Sequence, residues 1–520
     1  MGCIRSGRRF RPDRLHLWLL SGLLLLSLFL YVALLERQPT GWDALGYQVA
    51  GRNMARGIGP AIEHPFNRVL GPYFTLAAFA VQRPQEPARL YLNYPSGFPL
   101  LLAIPQWLGL PDFLVLPALS MLSVLFTYLL GSLLFGPWTG LLGATIVAFT
   151  PAYLEWGTSF WADLPGTCFM VGALAAYLAA WRRERRVYQV ALGSAAGVMV
   201  VAAIFIKYSN ILVLLPLLAY AVCVQRKSLF GSAINWVMVS IVAVGLIGAG
   251  LYNQALYGSP FETAYSASRS GFAFPVFSIS YALGPSPADG YCLIAAGKTL
   301  WANFVWLLIP AVWGLVRSPR RAVILLFGLF LVFLGLSSVY AWAPLNEDTR
   351  YMLPLFAPVG LFTARGCLSL LDLRVPWKKW GLGLVVVMVC VTSLASLKGS
   401  WHRLTRRNLA NLEAQAVARS LTSGSERDAV FLAYLWNDPI NYFGERTTLF
   451  YRRMNLSTPV EFERMLIHVV TELLHDDVPV YYVEDRHPPL ANSLQVLQQH
   501  FDLHLWKESP IPVYQVSLPE

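Results

Sequence analysis

Charge is what this sequence has least of. Asp, Glu, Lys and Arg make up only 13% of its 520 residues while 56% are hydrophobic; an ordinary soluble domain carries about 25% charged residues. So little charge cannot solvate a surface around that much apolar material, and a soluble enzyme is excluded. Cysteine is also sparse: the six residues at 3, 168, 223, 292, 367 and 390 are scattered, with no spacing that suggests a zinc site or a disulfide framework. No internal repeat and no low-complexity segment is visible, which counts against a transporter built from repeated halves.

Long apolar runs are what the chain has instead. Mean hydropathy is +0.50, and several runs reach the 17–25 residues that cross a bilayer core. The formal charge is +11, from 40 Lys+Arg against 29 Asp+Glu. The basic residues fall in short clusters between apolar runs, which is the positive-inside pattern of a membrane protein and not a nucleic-acid stripe. The first run, about 15–35, follows Arg5, Arg8, Arg9, Arg11 and Arg14. It is too long for a signal peptide and no small-residue cleavage site follows, so it reads as a first span. Later clusters are Arg182-Arg183-Glu184-Arg185-Arg186, Gln225-Arg226-Lys227, Arg317-Ser318-Pro319-Arg320-Arg321, and Arg374 to Lys379.

Putting every cluster in the cytoplasm predicts eleven spans: 15–35, 112–135, 138–153, 165–181, 187–206, 209–225, 232–257, 300–316, 321–340, 351–371 and 380–398. The N-terminus is then inside and the C-terminus outside. The stretch 96–110 would break that parity; it is short and holds Pro99 and Pro105, so it reads as a re-entrant or surface-lying segment. The expected architecture is an all-α polytopic membrane domain over 1–399 and a small α/β extracytoplasmic domain over 400–520. In that tail Ala429–Trp436, Pro479–Val483 and Pro512–Leu518 read as strands. Asn408–Leu421 and Pro459–His475 read as helices, the second with Ser457/Thr458 as N-cap and Pro459 at its first position. Met1-Gly2-Cys3-Ile4-Arg5-Ser6 matches a myristoylation pattern, to which the spans already leave little to add. Asn455-Leu456-Ser457 is a glycosylation sequon.

Polar residues gather where they are expensive. Asp43 opens WDALGYQVAGRNMARGIG (42–59), where Ala44, Tyr47, Ala50 and Met54 share one face at helical spacing. This predicts an amphipathic helix along the outer surface; alone, Asp43 is a helix N-terminal carboxylate favoured by the dipole. YPSGFPLLLAIP (94–105) gives a Tyr-Pro-x-Gly turn into a proline-broken apolar stretch. PAYLEWGTSFWADLPG (151–166) places Glu155 and Asp163 in an outer loop rimmed by Trp156, Phe160 and Trp161, aromatics that alone make an interface belt. IFIKYSN (204–210) puts Lys207 at the outer end of a span, against the positive-inside bias. NEDTRYMLPLFAP (346–358) collects Glu347, Asp348 and Arg350, where Arg350 can simply pair with an adjacent acid. Together Asp43, Glu155, Asp163, Lys207 and Arg350 map to one membrane face. Such a site suits a lipid-borne anion at headgroup level, with carboxylates as general base and cations on a phosphate.

This order of motifs resembles the dolichyl-phosphate-mannose-protein mannosyltransferase-like superfamily, with its bacterial aminoarabinose transferases and other envelope glycosyltransferases of the glycosyltransferase C fold. The likeness runs over about 15–400: W-D-x-x-x-Y-x-x-A, then Y-P-x-G-F-P-L-L, D-L-P, F-x-K-Y and R-Y-x-L-P-L. The tail segment FLAYLWNDPINYFGER (431–446) is similar to the outer domain of bacterial relatives. The resemblance implies a polyprenyl-phosphate-linked sugar donor, an extracytoplasmic acceptor and inversion at the anomeric carbon. It implies Asp43 and Asp163 as catalytic acids and Lys207 and Arg350 as contacts to the lipid phosphate; Tyr47, Tyr94, Glu155 and Tyr351 in the same motifs are further candidate substrate-binding positions. Its partners are the donor, the acceptor and the lipid bilayer, with no nucleic acid. Where aminoarabinose transferases carry a Glu-Lys-Pro-Pro-like turn, this chain has Asn93-Tyr94-Pro95-Ser96, so neither their metal nor their particular sugar is carried over. A divalent metal would find Glu63 and His64 in the first loop, two residues that do not by themselves make a site. The rivals are a transporter or lipid flippase, which would want polar residues near mid-bilayer, and a non-catalytic envelope scaffold, which would leave Asp43 dispensable.

Overall fold

The computed structural model describes residues 14–226, 229–267, 277–283, 292–340, 349–370, 378–450, 458–484 and 493–519. The lipidation motif, the arginines up to Arg11, Lys227, Glu347, Asp348, Arg374 and the sequon at Asn455 lie outside those residues. Among the described residues, eight helices are long and apolar enough to cross a membrane: Arg14–Ala33, Asp112–Phe135, Asp163–Trp181, Arg186–Ile206, Ala233–Tyr257, Cys292–Val316, Arg320–Val339 and Arg350–Ser369. Shorter apolar helices occupy Pro137–Ala148 and Tyr208–Val224. The chain is a multi-span membrane protein, mostly helical, with a small mixed-sheet domain near its C-terminus.

Two helices sit at the centre of the bundle. Asp163–Trp181 and Arg350–Ser369 bury 78% and 89% of their apolar windows, against 22% for Ala233–Tyr257 at the periphery. Without a hydrophobic drive between helices in lipid, close backbone approach at small residues holds such a bundle together. A Cβ on Gly366 would lie 1.9 Å from the Pro310 carbonyl oxygen, so only glycine admits that crossing. The crossing fixes the helix whose first turn carries Arg350.

Several local expectations are corrected. The span anticipated at 138–153 stops at Ala148; Phe149 and Thr150 break it, and Pro151 begins a separate short helix, Pro151–Trp156. The first-loop helix Trp42–Ala55 does not lie exposed along a surface. Seven of its fourteen residues are buried, including Leu45, Gln48 and Gly51 off the predicted face, because it packs against Gly97–Trp107 on one side and the tail on another. Gly97–Trp107 is an eleven-residue helix, about 16 Å long and so half of a bilayer core. The last span and the first tail helix are one rod, Lys378–Thr422, of 45 residues; past Ser400 its Leu, Ala, Arg, Glu and Gln are good helix formers, with no proline to stop it.

The tail sheet has five strands: β4 Val430–Ala433, β5 Thr447–Phe450, β6 Val480–Val483, β7 Asp502–Lys507 and β8 Val513–Ser517. Their order is β5-β4-β6-β8-β7, with β4 parallel to β5 and β6, and β8 antiparallel to β6 and β7. β4, β6 and β8 fall inside the three predicted runs. β5 and β7 were not anticipated, and neither was the three-stranded first-loop sheet of β1 Ala61–Glu63, β2 Phe79–Arg83 and β3 Glu86–Leu92. Helix Pro459–His475 is capped as expected, Thr458 Oγ1 accepting from the Glu461 N–H at 3.2 Å.

First loop and tail share a core. Leu70, Tyr73 and Phe74 are buried with Val430, Leu449 and Phe462. The Phe450 N–H donates to Tyr73 O at 2.8 Å, and Phe74 bridges Leu449, extending the sheet at its β5 edge. Asn437 and Asp438 at the start of the short helix Asn437–Phe443 hold the loop backbone at Thr75 O (3.0 Å) and Ala77 N (2.9 Å).

Candidate functional site

Asp43 stands in the first turn of Trp42–Ala55, with no side-chain cap bond at Gly41 before it. Its carboxylate does not serve the helix end. Oδ1 accepts from the Tyr94 hydroxyl, and Oδ2 faces Arg350 Nη1 at 3.5 Å. Burial pushes its carboxyl above the usual carboxylate range. Arg350 and the Tyr94 hydroxyl pull the other way, and nearby Asp163 adds to the rise. Tyr94 is pushed well up by burial and by Asp43 itself, so its hydroxyl stays protonated and donates. Tyr94 is in turn held by ring contacts to Tyr47 at 5.2 Å and Tyr265 at 6.0 Å.

The second pair forms between two antiparallel helices. Asp163 starts Asp163–Trp181, and Lys207 caps the C-terminus of Arg186–Ile206 in an extended conformation, φ −154° and ψ 114°. Lys207 Nζ contacts Asp163 Oδ1. The Tyr-Pro-x-Gly turn explains how this end meets Tyr94: a Cβ on Gly97 would sit 2.4 Å from the Phe205 carbonyl carbon. Glycine therefore lets the turn press against the backbone just before Lys207.

Tyr351 joins the two pairs. Lys207 Nζ lies 4.4 Å from its ring centroid, and Arg350 Nη2 donates to its hydroxyl at 2.8 Å. The Arg350 guanidinium also lies 3.9 Å over the Trp161 ring. Two cations thus each pair with a carboxylate beside aromatic rings, largely out of water: Arg350 is 9% exposed, and the Asp43 side chain 23%. Coulomb interactions are strong in such a place, and an entering anion would find both cations already positioned. All four charges stand at helix ends, not at mid-helix as a transporter would want.

Of the predicted site residues, Asp43, Asp163, Tyr47, Tyr94, Lys207, Arg350 and Tyr351 come together. Glu155 does not join them: it lies in the short helix Pro151–Trp156, with Arg403 of the long rod at 3.9 Å. Glu63 and His64 do not converge either. Glu63 pairs with Arg89 at 2.9 Å. His64 accepts from the Phe66 N–H through Nδ1 (3.3 Å), so Nε2 donates to Thr447 Oγ1 (3.1 Å). Burial lowers its pKa to about 4, consistent with a neutral structural histidine. Among the described residues, no three His, Cys, Asp or Glu lie close enough together to hold a metal.

Two participants and one supporting residue escaped the sequence reading. Tyr265 carries no motif. Trp161 looked like belt. Glu36, at the end of the first helix, is buried and accepts from Asn411 Nδ2 at 2.8 Å and the Phe160 N–H at 3.3 Å, with Arg407 Nε at 3.8 Å. Arg407 also donates to Ser159 Oγ. This network ties the long rod to the loop that presents Trp161.

The sequence model of the dolichyl-phosphate-mannose-protein mannosyltransferase family matches residues 110–251, a stretch that includes Asp163 and Lys207 but neither Asp43 nor Arg350. Among curated proteins no sequence matches. Among solved structures, the chain is similar to ArnT from Cupriavidus metallidurans bound to undecaprenyl phosphate, with TM-score 0.63 and 15% identity over 97% of this chain and 99% of that one. It is similar to the Archaeoglobus fulgidus oligosaccharyltransferase in the apo form, with TM-score 0.58 and 12% identity over 90% and 69% of the two chains. It is also similar to the mycobacterial arabinofuranosyltransferase AftD, with TM-score 0.55 and 10% identity over 96% and 42%. These likenesses establish a shared fold, the glycosyltransferase C fold.

Proposed function

We propose, with the glycosyltransferase C fold as premise, that this protein moves a sugar from a polyprenyl-phosphate carrier to an acceptor on the outer side of the membrane. The N-terminus is cytoplasmic and the C-terminus extracytoplasmic, in a cell (inner) membrane. The observation that carries the reading is the joining of Asp43–Arg350 and Asp163–Lys207 through Tyr351. Two fixed cations suit a leaving phosphate, which gains charge as the glycosidic bond breaks. An acid whose pKa is raised toward the working pH suits the acceptor's proton.

In the step, the acceptor hydroxyl oxygen attacks the anomeric carbon while Asp43 takes its proton. The bond from that carbon to the carrier phosphate breaks, its electron pair leaving on the phosphate, where Lys207 and Arg350 receive the charge. Attack opposite the leaving group inverts the anomeric centre. Asp163 holds Lys207 in place before the donor arrives and is the fallback base. Tyr47, Tyr94 and Tyr351 wall the sugar. The family match over 110–251 and the ArnT structure bound to undecaprenyl phosphate support this reading. The test is to incubate the purified protein with a panel of polyprenyl-phosphate sugars and follow release of free polyprenyl phosphate by mass spectrometry. Release from at least one donor is expected; silence across the panel, with acceptor-containing membranes added, would count against the reading.

A further inference from the structure

The long rod Lys378–Thr422 carries a second feature, apart from the two acid–cation pairs. A groove of about 330 Å³ runs beside it, walled on the opposite side by Ala302, Val305 and Trp306. There the facing helix breaks, because Val305 adopts φ +44° between Cys292–Phe304 and Leu308–Val316, a conformation a β-branched side chain rarely takes. On the rod, Val391, Ala395, Gly399 and Arg403 line the groove at a spacing of four, so they form one stripe. From Val391 to Arg403 the stripe measures about 18 Å, close to the depth of one leaflet.

Three independent observations show that the groove is built for something. A Cβ on Gly399 would meet nothing within 4 Å, so helix packing does not require the glycine, although glycine weakens a helix interior. Ser400 beside it is fully buried, lines the groove, and its Oγ has no hydrogen-bond partner; a buried hydroxyl left so is costly. One turn on, the Arg403 side chain is 60% exposed and its ion pair with Glu155 is long, 3.9 Å. Lys398, His402 and Arg406 are exposed around it. On the proposed orientation these lie at the outer boundary, where the positive-inside rule depletes basic residues.

We infer that this groove binds a second lipid: a phosphate-bearing bilayer lipid, distinct from the sugar donor. Its chain lies along Trp306, Val305 and Ala395, its phosphate rests on Arg403, and Ser400 Oγ donates to a headgroup oxygen. The inference does not depend on the transfer chemistry. To test it, the full-length protein is reconstituted in nanodiscs of mixed phosphatidylglycerol and phosphatidylcholine, and retained lipids are counted by native mass spectrometry. The wild type retains phosphatidylglycerol in preference. Arg403→Gln lowers that retention about fivefold, while Arg464→Gln, an exposed arginine in the tail, leaves it unchanged. Gly399→Leu fills the open space and lowers retention of both lipids, with Tm equal to or above wild type. Ser400→Ala weakens retention without loss of Tm. Unchanged retention in folded Arg403→Gln and Gly399→Leu would overturn the inference. So would displacement of the lipid by added polyprenyl phosphate, which would make the groove part of the donor site.

Discussion

Two acid–arginine clusters lie at one end of the bundle and have opposite characters. In one, Glu36 is buried and saturated: the Asn411 amide, the Phe160 N–H and Arg407 fill its oxygens, and Arg407 spreads its remaining donors over Ser159, Thr158 and the Leu34 carbonyl. In the other, Asp43 and Arg350 meet at 3.5 Å between aromatic faces, beside a second pair that contains another acid. The first cluster has neutral partners enough to satisfy its charge and reads as a clamp. The second buries Asp43 away from water, which raises its carboxyl, and the neighbouring Asp163 adds to the rise. An acid beside an arginine is therefore no sign of chemistry by itself; what surrounds the pair decides. Perturbed carboxyls of this kind collect at functional sites.

The widest separation between the clusters is expected in turnover. Asp43→Asn keeps shape and hydrogen-bonding reach but removes the proton acceptor, and should lower the transfer rate by about 10²–10⁴-fold. A near-wild-type rate for Asp43→Asn beside a dead Asp163→Asn would move the base to the second acid. Lys207→Gln or Arg350→Gln should each lower kcat/KM for the donor by about 10²-fold, while Lys207→Arg keeps most of it. Equal losses in Arg and Gln variants at Lys207 would show that charge is not what matters there.

Glu36→Ala should act on the other axis. It strips the acceptor from a buried amide, a buried N–H and an arginine, and should cost about 3 kcal/mol of stability, read as a lower Tm. Turnover per folded molecule should hardly change; a selective loss of turnover would place Glu36 with the reactive cluster.

The smallest effects are in pH dependence, and their signs differ by residue. The acidic limb of kcat/KM reports Asp43 losing its proton. Arg350 and Tyr94 lower that pKa and Asp163 raises it. Arg350→Gln and Tyr94→Phe should therefore move the limb to higher pH, and Asp163→Asn to lower pH. Stability follows linkage. A carboxyl whose folded pKa is raised contributes stability below its unfolded pKa and loses it as pH rises through the folded value. Asp43→Asn should then raise Tm at neutral pH, and the gain should vanish on acidification. A Tm difference independent of pH would contradict the raised pKa.

The bundle was readable from composition because membrane crossing demands a property every span must show alone, a long uncharged run. Lys207 stood out because a cation at the end of an apolar span runs against the positive-inside bias, whereas Asp43 and Arg350 each fit a local explanation and were singled out by the order of motifs. Their pairing was not readable. Glu347 and Asp348, close by in sequence, invited a local ion pair with Arg350, and nothing in that run announces Asp43, an acid some 300 positions earlier, as a partner. Glu36 escaped because it looks like the polar end of a span, and β5 because its core partners Tyr73 and Phe74 come from the first loop. The long rod was cut at residue 400 because the change from apolar to polar composition marks a change of solvent, and a helix can pass through that boundary unbroken.

The central claim is a division of labour, with cations holding the carrier phosphate and Asp43 handling the proton. Titration of polyprenyl phosphate into the wild type, Asp43→Asn, and the Lys207→Gln/Arg350→Gln double variant tests it directly. The account predicts that Asp43→Asn binds polyprenyl phosphate at least as tightly as the wild type, because a competing negative charge has gone, while the double variant loses binding by 10²-fold or more, about 3 kcal/mol. Binding lost in Asp43→Asn and kept in the double variant would contradict it.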